Sequence, residues 1–388
     1  MADRPADVTV DVAVIGAGIV GLGIAWQVCR SGRTVAVIDP APATGATYAA
    51  AGMLAPISEL HYEEEDLLEL TLASAALYPG FIAELGPATG YRTTSTLTVA
   101  SDAADRRALD DLRLLQQANG LGVLPLTIRS AREAEPLLSA SISAAFSVPN
   151  DHQVDPRLLA ERLRAALETA GTGMIAQSAT EVLHEDPRDA GSPTTGVALS
   201  RGGVVRAAEV IVANGLGALH LAGLPVALPL RPVFGDILRL RVPDHLRPLL
   251  TCTIRGLVRG LPVYLVPRTD DTVVIGATSR EDGRPGVSAG GVHRLLHDAQ
   301  VLVPAVAELE LIEVTARARP GTPDNAPLIG RVAPGLLIAT GFFRHGVLLT
   351  PIAARICVEL LDGAPDPRWK RFHPDRFRAP APQEVSHA

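Results

Sequence analysis

Residues 8–39 constrain the fold more than any other part of the chain. They read Val-Thr-Val-Asp-Val-Ala-Val-Ile, then Gly16-Ala17-Gly18-Ile19-Val20-Gly21, then an apolar run, then Thr34-Val-Ala-Val-Ile-Asp39. Val10, Val12, Val14 and Ile15 suit a buried parallel strand, where β-branched residues run almost without a break. Ile19, Leu22, Trp26 and Cys29 recur at helical spacing, so one face of the next element packs on a sheet. Gly32 offers a left-handed stop, and residues 34–38 form a second buried strand. The glycines of the turn have separate tasks. Gly16 permits the turn, Gly18 lets backbone approach a pyrophosphate, and Gly21 lets helix and strand touch. Free N–H groups and the positive helix end hold the anion. Asp39, about 20 residues on, is placed to accept from ribose hydroxyls, and it would repel a ribose 2′-phosphate, which argues against NADP. The stretch predicts a dinucleotide site and leaves NAD and FAD both open.

The 388 residues suffice for two domains, and 47% hydrophobic with 20% charged residues is a globular composition. A net charge of −7 offers no broad basic field for phosphates, so no nucleic-acid partner is expected. Cys29, Cys252 and Cys357 lie far apart with no C-x-x-C, which fits a reducing compartment. Residues 12–29 carry no charge, yet the glycines inside the run and the strand–turn–helix reading account for it without a membrane span. Asp3, Asp7 and Asp11 against Arg4 alone lack the positive start of a secretory signal. A cytoplasmic protein is expected.

After Asp39, the run of small residues from Pro40 through Gly45 and Ala49-Ala50-Ala51-Gly52 to Met53-Leu54 fits either close backbone packing, against something flat or another backbone, or a helix start. Glu63 to Asp66 open a helix carrying Leu67, Leu70, Ala73, Ala76 and Leu77, and Pro79-Gly80 should kink or end it. Residues 91–100 read as a strand, 105–119 as an amphipathic helix, and Ser130 with Glu133 as a capping box. Asp155-Pro156 starts a helix with Leu158, Leu163, Ala166 and Leu167 on its buried face. Strands follow at 173–177, 180–184, 196–199, 204–207 and 210–213. Residues 226–280 hold short strands with turns between them, the pattern of an antiparallel sheet. A helix at 292–303, strands at 309–319 and 336–339, and a helix at 347–361 follow. The arginine- and proline-rich segment after 365 reads as a loosely held surface tail. The α/β pattern is broken twice and returns near the C-terminus. The fold class is therefore α/β plus antiparallel β. A discontinuous Rossmann-like domain (1–88, 150–225 and 319–365) accompanies a second domain on a mostly antiparallel sheet (89–149 and 226–318) and a tail (366–388).

Several spaced motifs then line up: the Gly16 to Gly21 turn, Ala49-Ala-Ala-Gly-Met53, Gln153-Val-Asp-Pro156, Tyr264-Leu-Val-Pro267 with Gly276-Ala-Thr278, Arg319-Pro-Gly-Thr-Pro-Asp324, and Arg344-x-Gly346-Val-Leu-Leu. The set resembles the FAD-dependent amine oxidases of the D-amino-acid oxidase type, and within them the bacterial glycine oxidases of thiamine biosynthesis. The resemblance runs over residues 8–361. It implies FAD rather than NAD, an FAD-binding first domain and a substrate-binding second one. It implies that Thr47 and the loop Ala50, Ala51, Gly52 and Met53 lie against the ribityl chain and flavin ring. Val182 would lie near the adenine, Ala213 to Gly215 near the pyrophosphate, and Arg344 to Leu348, including His345, Gly346 and Val347, along the flavin pyrimidine edge. A homo-oligomer is expected on the same ground.

Amine oxidation by a flavin needs a carboxylate anchor, a neutral amine and a Cα–H aimed at the cofactor. Arg319 is the candidate anchor, because a guanidinium grips a carboxylate with two parallel hydrogen bonds. The resemblance gives the Tyr264 hydroxyl the same carboxylate and puts Arg344 across the pocket. On residue type alone, Arg319 also fits a surface ion pair and Tyr264 half-buried strand packing. His345 could carry a proton or contribute only backbone. His293 and His297 lack a third ligand nearby, and no metal is expected. Phe234-Gly235-Asp236, Phe342-Phe343 and Ser279 depart from the pattern, and Ser279 for a bulkier Met would admit a larger amine. The reading is an oxidase of glycine or a similar small amino acid or amine (sarcosine, D-alanine, D-proline), with O₂ as acceptor. Its rivals are a D-amino-acid or proline dehydrogenase with another acceptor, and a nucleotide-binding interaction protein without turnover.

Overall fold

The computed structural model describes residues 8–378; residues 1–7 and 379–388, which include the acidic start and the end of the expected tail, lie outside the described residues. Strand Val8–Ile15 is central to the first sheet and is fully buried from Val12 to Ile15. It has a parallel neighbour on each side, Val204–Val212 and Val35–Ile38. In spatial order the sheet runs Leu328–Ala333, Leu336–Thr340, Val204–Val212, Val8–Ile15, Val35–Ile38, Gly173–Ile175. All neighbours in it are parallel except the outer pair, Leu328–Ala333 with Leu336–Thr340. Ala179–His184 and Thr194–Leu199 branch from Val204–Val212 as antiparallel strands. Helices Ile19–Arg30, Pro156–Thr169 and Thr350–Leu361 cover one face and share a single apolar core with it. Strands buried on both faces explain the near-continuous Val and Ile runs.

The second sheet has eight strands, in the order Glu310–Gly321, Arg231–Arg241, Thr272–Gly276, Leu261–Pro267, Thr253–Val258, Thr96–Ala100, Ala144–Val148, Leu124–Leu126. Its pairs are antiparallel except Thr253–Val258 with Thr96–Ala100. Alternation splits its faces. Leu238, Ile254, Leu265 and Ile275 pack against Leu295, Ala299 and Leu302 of helix Ala289–Leu302. Directly paired residues share a face, so the row Thr98, Arg255, Tyr264, Gly276, Ile237, Thr315 looks the other way, toward the first sheet. The short pair Met53–Leu54 and His152–Gln153 lies between the two bodies. This is the discontinuous α/β plus antiparallel β architecture expected.

Some local expectations fail, each for a physical reason. Helix Glu65–Leu85 runs through Pro79-Gly80. Both residues are exposed, so water can satisfy the Ala75 carbonyl that Pro79 leaves without a donor. Its buried residues are Leu67, Leu68, Leu70, Thr71, Ser74, Tyr78, Phe81 and Leu85; Ala73 and Leu77 pack half-buried against the same core, and Ala76 is exposed. It is the one described helix long and apolar enough to cross a membrane, and it packs into the first core. Helix Ile128–Ala134 is capped by Thr127, which accepts from Ser130 N at 3.0 Å, so Ser130 is inside the helix rather than its cap. Asp155 caps Pro156–Thr169 as expected, but Leu159 rather than Leu158 is buried. The strands expected at 204–207 and 210–213 are one, Val204–Val212, and Leu328–Ala333 was not foreseen. The segment read as a loose tail is docked: Trp369 and Phe372 are buried in the first core, and Arg376 binds Asp324 at 2.8 and 2.9 Å. Arginine and proline dominate its composition, but two aromatic rings hold it.

Because that docking is core packing, Trp369→Ala is expected to cost about 3–5 kcal/mol in chemical denaturation. A change within about 0.5 kcal/mol, the usual range for a surface substitution, would show that the segment contributes no core.

Candidate functional site

The carboxyl ends of the central parallel strands open into a cavity of about 790 Å³ that reaches across to the second sheet. This is where ligands bind in open α/β sheets. The turn after Val8–Ile15 is backbone packed on backbone. Gly16 has φ +107, and a Cβ there would lie 2.6 Å from Asn214 Cα; one at Gly21 would lie 2.0 Å from Gly16 O. Asp39 anchors the turn, its Oδ2 accepting from Ala17 N at 2.7 Å and its Oδ1 from Ala41 N at 2.8 Å. A carboxylate has about four acceptor positions, so capacity remains for hydroxyls. Helix Ile19–Arg30 has no acidic residue in its first turn, which leaves its positive end uncompensated.

Opposite, the run of small residues forms a short helix, Ala46–Ala49, and then an irregular turn, so each alternative for it held in part. Thr47 Oγ1 accepts from Ile19 N at 2.9 Å, linking this loop to the helix start. Gly52 has φ +71, and a Cβ there would meet Val154 O at 2.0 Å. The buried Arg268 donates to Ala51 O and, at 2.9 Å, to Val154 O, pinning the loop from the second sheet. Burial brings its pKa down to about 10, with Asp155 opposing the fall. At the third edge, Tyr78 donates to Val347 O and Ser74 to Leu348 O, both at 2.6 Å. The peptide plane of Val347 O carries the Leu348 N–H, which therefore points away from helix Glu65–Leu85, whereas the Leu349 N–H in the plane of Leu348 O donates to His345 O at 2.8 Å. The cradle fits FAD: a positive helix end, an acid at the ribose position, a flat wall of alanine and glycine, and N–H donors at the far edge. Asn214 Oδ1 in the wall is buried without a partner.

The second sheet carries the candidate anchor, Arg319 and Tyr264. A Cβ at Gly235 would lie 2.3 Å from Arg319 Nη1, and one at Gly276 would lie 2.4 Å from Tyr264 Oη. Both side chains therefore lie flat on the sheet, over glycines. Gly276 pairs with Ile237, so Gly235 is its diagonal neighbour, about 7–8 Å away. One carboxylate with a hydrogen bond of about 2.8 Å at each end fills such a gap. Arg319 donates only to Thr278 O, at 3.3 Å, and has no carboxylate partner among the described residues. Burial pushes Tyr264 up to about 12 against the pull of Arg319, so its hydroxyl remains a donor. Arg344 also lines the cavity, but it is ion-paired to Glu64, and Arg317 donates to the Thr44 and Ala316 carbonyls.

Of the residues anticipated from sequence, Gly18, Ile19, Asp39, Thr47, Ala50, Ala51, Gly52, Met53, Ala213, Gly215, Gly346 and Val347 line this cavity with Tyr264, Arg319 and Arg344. Gly16, Ala17 and Gly21 form the turn behind it, while Val182, His345 and Leu348 are buried outside the wall. The His345 ring lies near Glu59, with Nδ1 3.5 Å from Oε2, and neither ring nitrogen has a hydrogen-bond partner. Sequence reasoning missed Glu59 and Arg255, which form an ion pair at 2.7 Å on the same wall, and the pinning groups Ser74, Tyr78 and Arg268. A signal for Arg255 was present. Arg259 (φ +55) and Gly260 (φ +75) make a two-residue hairpin turn between Val258 and Leu261. Counting back from it pairs Arg255 with Tyr264. Among the described residues no group of three His, Cys, Asp or Glu could hold a metal.

Comparison with known proteins agrees with this geometry. The profile of a family described as FAD dependent oxidoreductase matches residues 11–360. A glycine oxidase of Geobacillus kaustophilus is 33% identical over 371 residues, covering 91% of this chain and 93% of the relative. A crystal structure of glycine oxidase from that organism superposes with TM-score 0.86 at 28% identity, covering 96% of this chain and all of the other. The bifunctional protein ThiO/ThiG of Trichormus variabilis is 30% identical over 380 residues; they cover 96% of this chain but 56% of that protein's length. An iminodiacetate oxidase structure from a Chelativorans species superposes with TM-score 0.81 at 28% identity, covering 94% and 98% of the two chains.

The His345 environment sets a pH dependence. Burial, which outweighs Glu59, depresses its pKa to about 3 from 6.5. Between those values the unfolded chain holds a proton there that the folded chain lacks, so this group's contribution to stability rises with pH across that window. The slope of stability against pH between 4 and 6 is expected to be shallower in His345→Gln than in the unsubstituted protein. Identical slopes would mean that His345 is not buried as a neutral ring.

Proposed function

From the premise that the chain belongs to the FAD-dependent oxidoreductase family of the D-amino-acid oxidase type, we propose that it oxidatively deaminates glycine or a similarly small amine. The products are glyoxylate or a 2-oxo acid, ammonia or an amine, and H₂O₂, with O₂ as electron acceptor. The observation that carries this reading is the Arg319–Tyr264 pair: a guanidinium without a carboxylate partner beside a protonated phenol, both facing the cofactor cradle. Likeness to glycine oxidases and an iminodiacetate oxidase supports the same substrate class. A role in thiamine (thiazole) biosynthesis follows the same likeness, as does a homo-oligomeric, cytoplasmic enzyme.

Bound FAD supplies the hydride acceptor. The chain supplies position and field. Arg319 and Tyr264 hold the carboxylate from the sheet side, which fixes the Cα–N bond between sheet and cradle. Asp39, Thr47 and Asn214 line the part of the cradle nearest the helix start. The backbone from Gly346 to Leu348, held by Tyr78 on Val347 O, directs N–H dipoles at the opposite edge, where negative charge is stabilised. The apolar wall of Ala49, Ala51, Ile237 and Met53 keeps water from the reacting carbon and favours the neutral amine. No side chain need remove a proton if the amine binds unprotonated.

The first test is a panel of glycine, sarcosine, D-alanine and D-proline under air, with H₂O₂ detected and dye reduction measured in parallel. H₂O₂ formation from at least one amine is expected; dye reduction without H₂O₂ would point to a dehydrogenase instead. Arg319→Ala is expected to lower kcat/KM by at least about 30-fold, the loss of a buried charge-assisted contact of 2 kcal/mol or more, and to retain FAD. Unchanged kinetics would remove Arg319 from the site.

A further inference from the structure

The cavity does not end at the anchor. Beyond Tyr264 it continues between Thr98, Leu257 and Pro262 of the second sheet and Leu109 and Leu112 of helix Ala103–Ala118. The side chain that dominates this arm is Arg255, the direct cross-strand neighbour of Tyr264 and of Thr98. Its Nη1 donates to Glu59 Oε1 at 2.7 Å and to Met53 Sδ at 3.5 Å. Its Nη2 and Nε donate to no protein atom among the described residues, and they are not closed off from the cavity. A guanidinium has five donors in a fork, so one edge can hold Glu59 while another takes a second anion. Glu59 is itself fixed: the buried Asp151 accepts from Ile57 N at 3.1 Å and Ser58 N at 2.8 Å, immediately before it. The charge balance of the wall also favours an anion. Arg255, Arg317, Arg319 and Arg344 line it against Asp39 and Glu59, with Glu64 paired to Arg344, so four guanidinium groups meet three carboxylates.

We infer that Arg255 is a second anion-recognition point, which lets this site take amino acids whose nitrogen or Cα bears a substituent ending in a second carboxylate. The inference rests on the proposed function, since the first carboxylate is the one on Arg319 and Tyr264. The arm's apolar side walls accommodate the linking carbons, and Ser279 on the wall leaves room for a branched amine. An amine-bearing substituent fits less well. Among the described residues the only carboxylate in the arm is Glu59, whose pKa is held low, despite burial, chiefly by the Arg255 it already serves.

A test that needs no turnover uses ether analogues. FAD-loaded protein is titrated with methoxyacetate and with diglycolate, and binding is read from the perturbation of the flavin absorption bands. The two ligands share the first carboxylate, and neither has an amine to oxidise. Diglycolate is expected to bind about tenfold or more tighter, as a charge-assisted contact adds. The ratio should fall to about 1 in Arg255→Met. The double variant Arg255→Met/Glu59→Gln, which leaves no unpaired buried charge, should give the same ratio of about 1 and guards against misfolding of the single one. Equal affinities in the unsubstituted protein, or a preference that survives both variants, would overturn the role of Arg255. Turnover of sarcosine and iminodiacetate is measured alongside. Binding preference for diglycolate with no oxidation of either amine, nor of glycine, D-alanine or D-proline, would sink the proposed reaction while sustaining the second anion site.

Discussion

Arg319 and Tyr264 can lie flat against the second sheet only because the strands beneath them carry glycine at 235 and 276. Any Cβ at either place would occupy the space of a guanidinium nitrogen or a phenol oxygen. The sheet thus becomes a floor on which two donors point along the surface toward one another, instead of standing up into the cavity. Standing side chains would fill the gap where a substrate must lie. The cofactor side obeys the same rule. Gly16, Gly21 and Gly52 allow backbone to meet backbone, so the cradle is shaped by main chain and presents N–H groups rather than side chains. The proposed recognition depends on what five positions lack.

The two bodies are held in register by arginines. Arg268 is a buried guanidinium that reaches from the second sheet to the carbonyls of Ala51 and Val154. Burying a charge is costly unless its donors are used, and this one is used on the loop that faces the cofactor. Arg157 grips Glu313 with two bonds, of 3.0 and 2.6 Å, lies 3.6 Å from the centroid of the Tyr48 ring, and donates to Tyr48 O. That places Tyr48, one residue after Thr47, against the strand that carries Arg319. These contacts couple the cofactor loop to the substrate anchor, so a shift in either would be felt by the other. Direct bonds to partners on both bodies, more than any net gain in free energy, are what this arrangement supplies.

Much of this was readable from sequence, and the parts that were not share a cause. The Val8 to Asp39 unit was legible because its signals are local: β-branched strand, glycine turn, helical spacing, acid. The candidate anchor Arg319 stood out by residue type and by its setting at the end of a strand. Arg255 did not, because its meaning depends on the partner strand, and the register is set by the Arg259-Gly260 turn rather than by anything next to Arg255. Glu59 sits in an irregular stretch with no periodicity to place it. Trp369 and Phe372 were hidden behind arginine and proline. Pro79 was expected to kink or end its helix because it lacks an N–H for the Ala75 carbonyl; the helix continues, with Pro79 on its exposed side, where water can serve that carbonyl. Local chemistry was visible in the chain; contacts set by strand register or by distant packing were not.

The central claim is that one carboxylate bridges Arg319 and Tyr264 above the two glycines. The most direct measurement is a crystal structure of the FAD-loaded protein with acetate bound, chosen because acetate has a carboxylate and nothing to oxidise. The account requires acetate oxygens within about 3 Å of an Arg319 Nη and of Tyr264 Oη. Acetate seated on Arg344, with Glu64 displaced and Arg319 still bonded to Thr278 O alone, would contradict it.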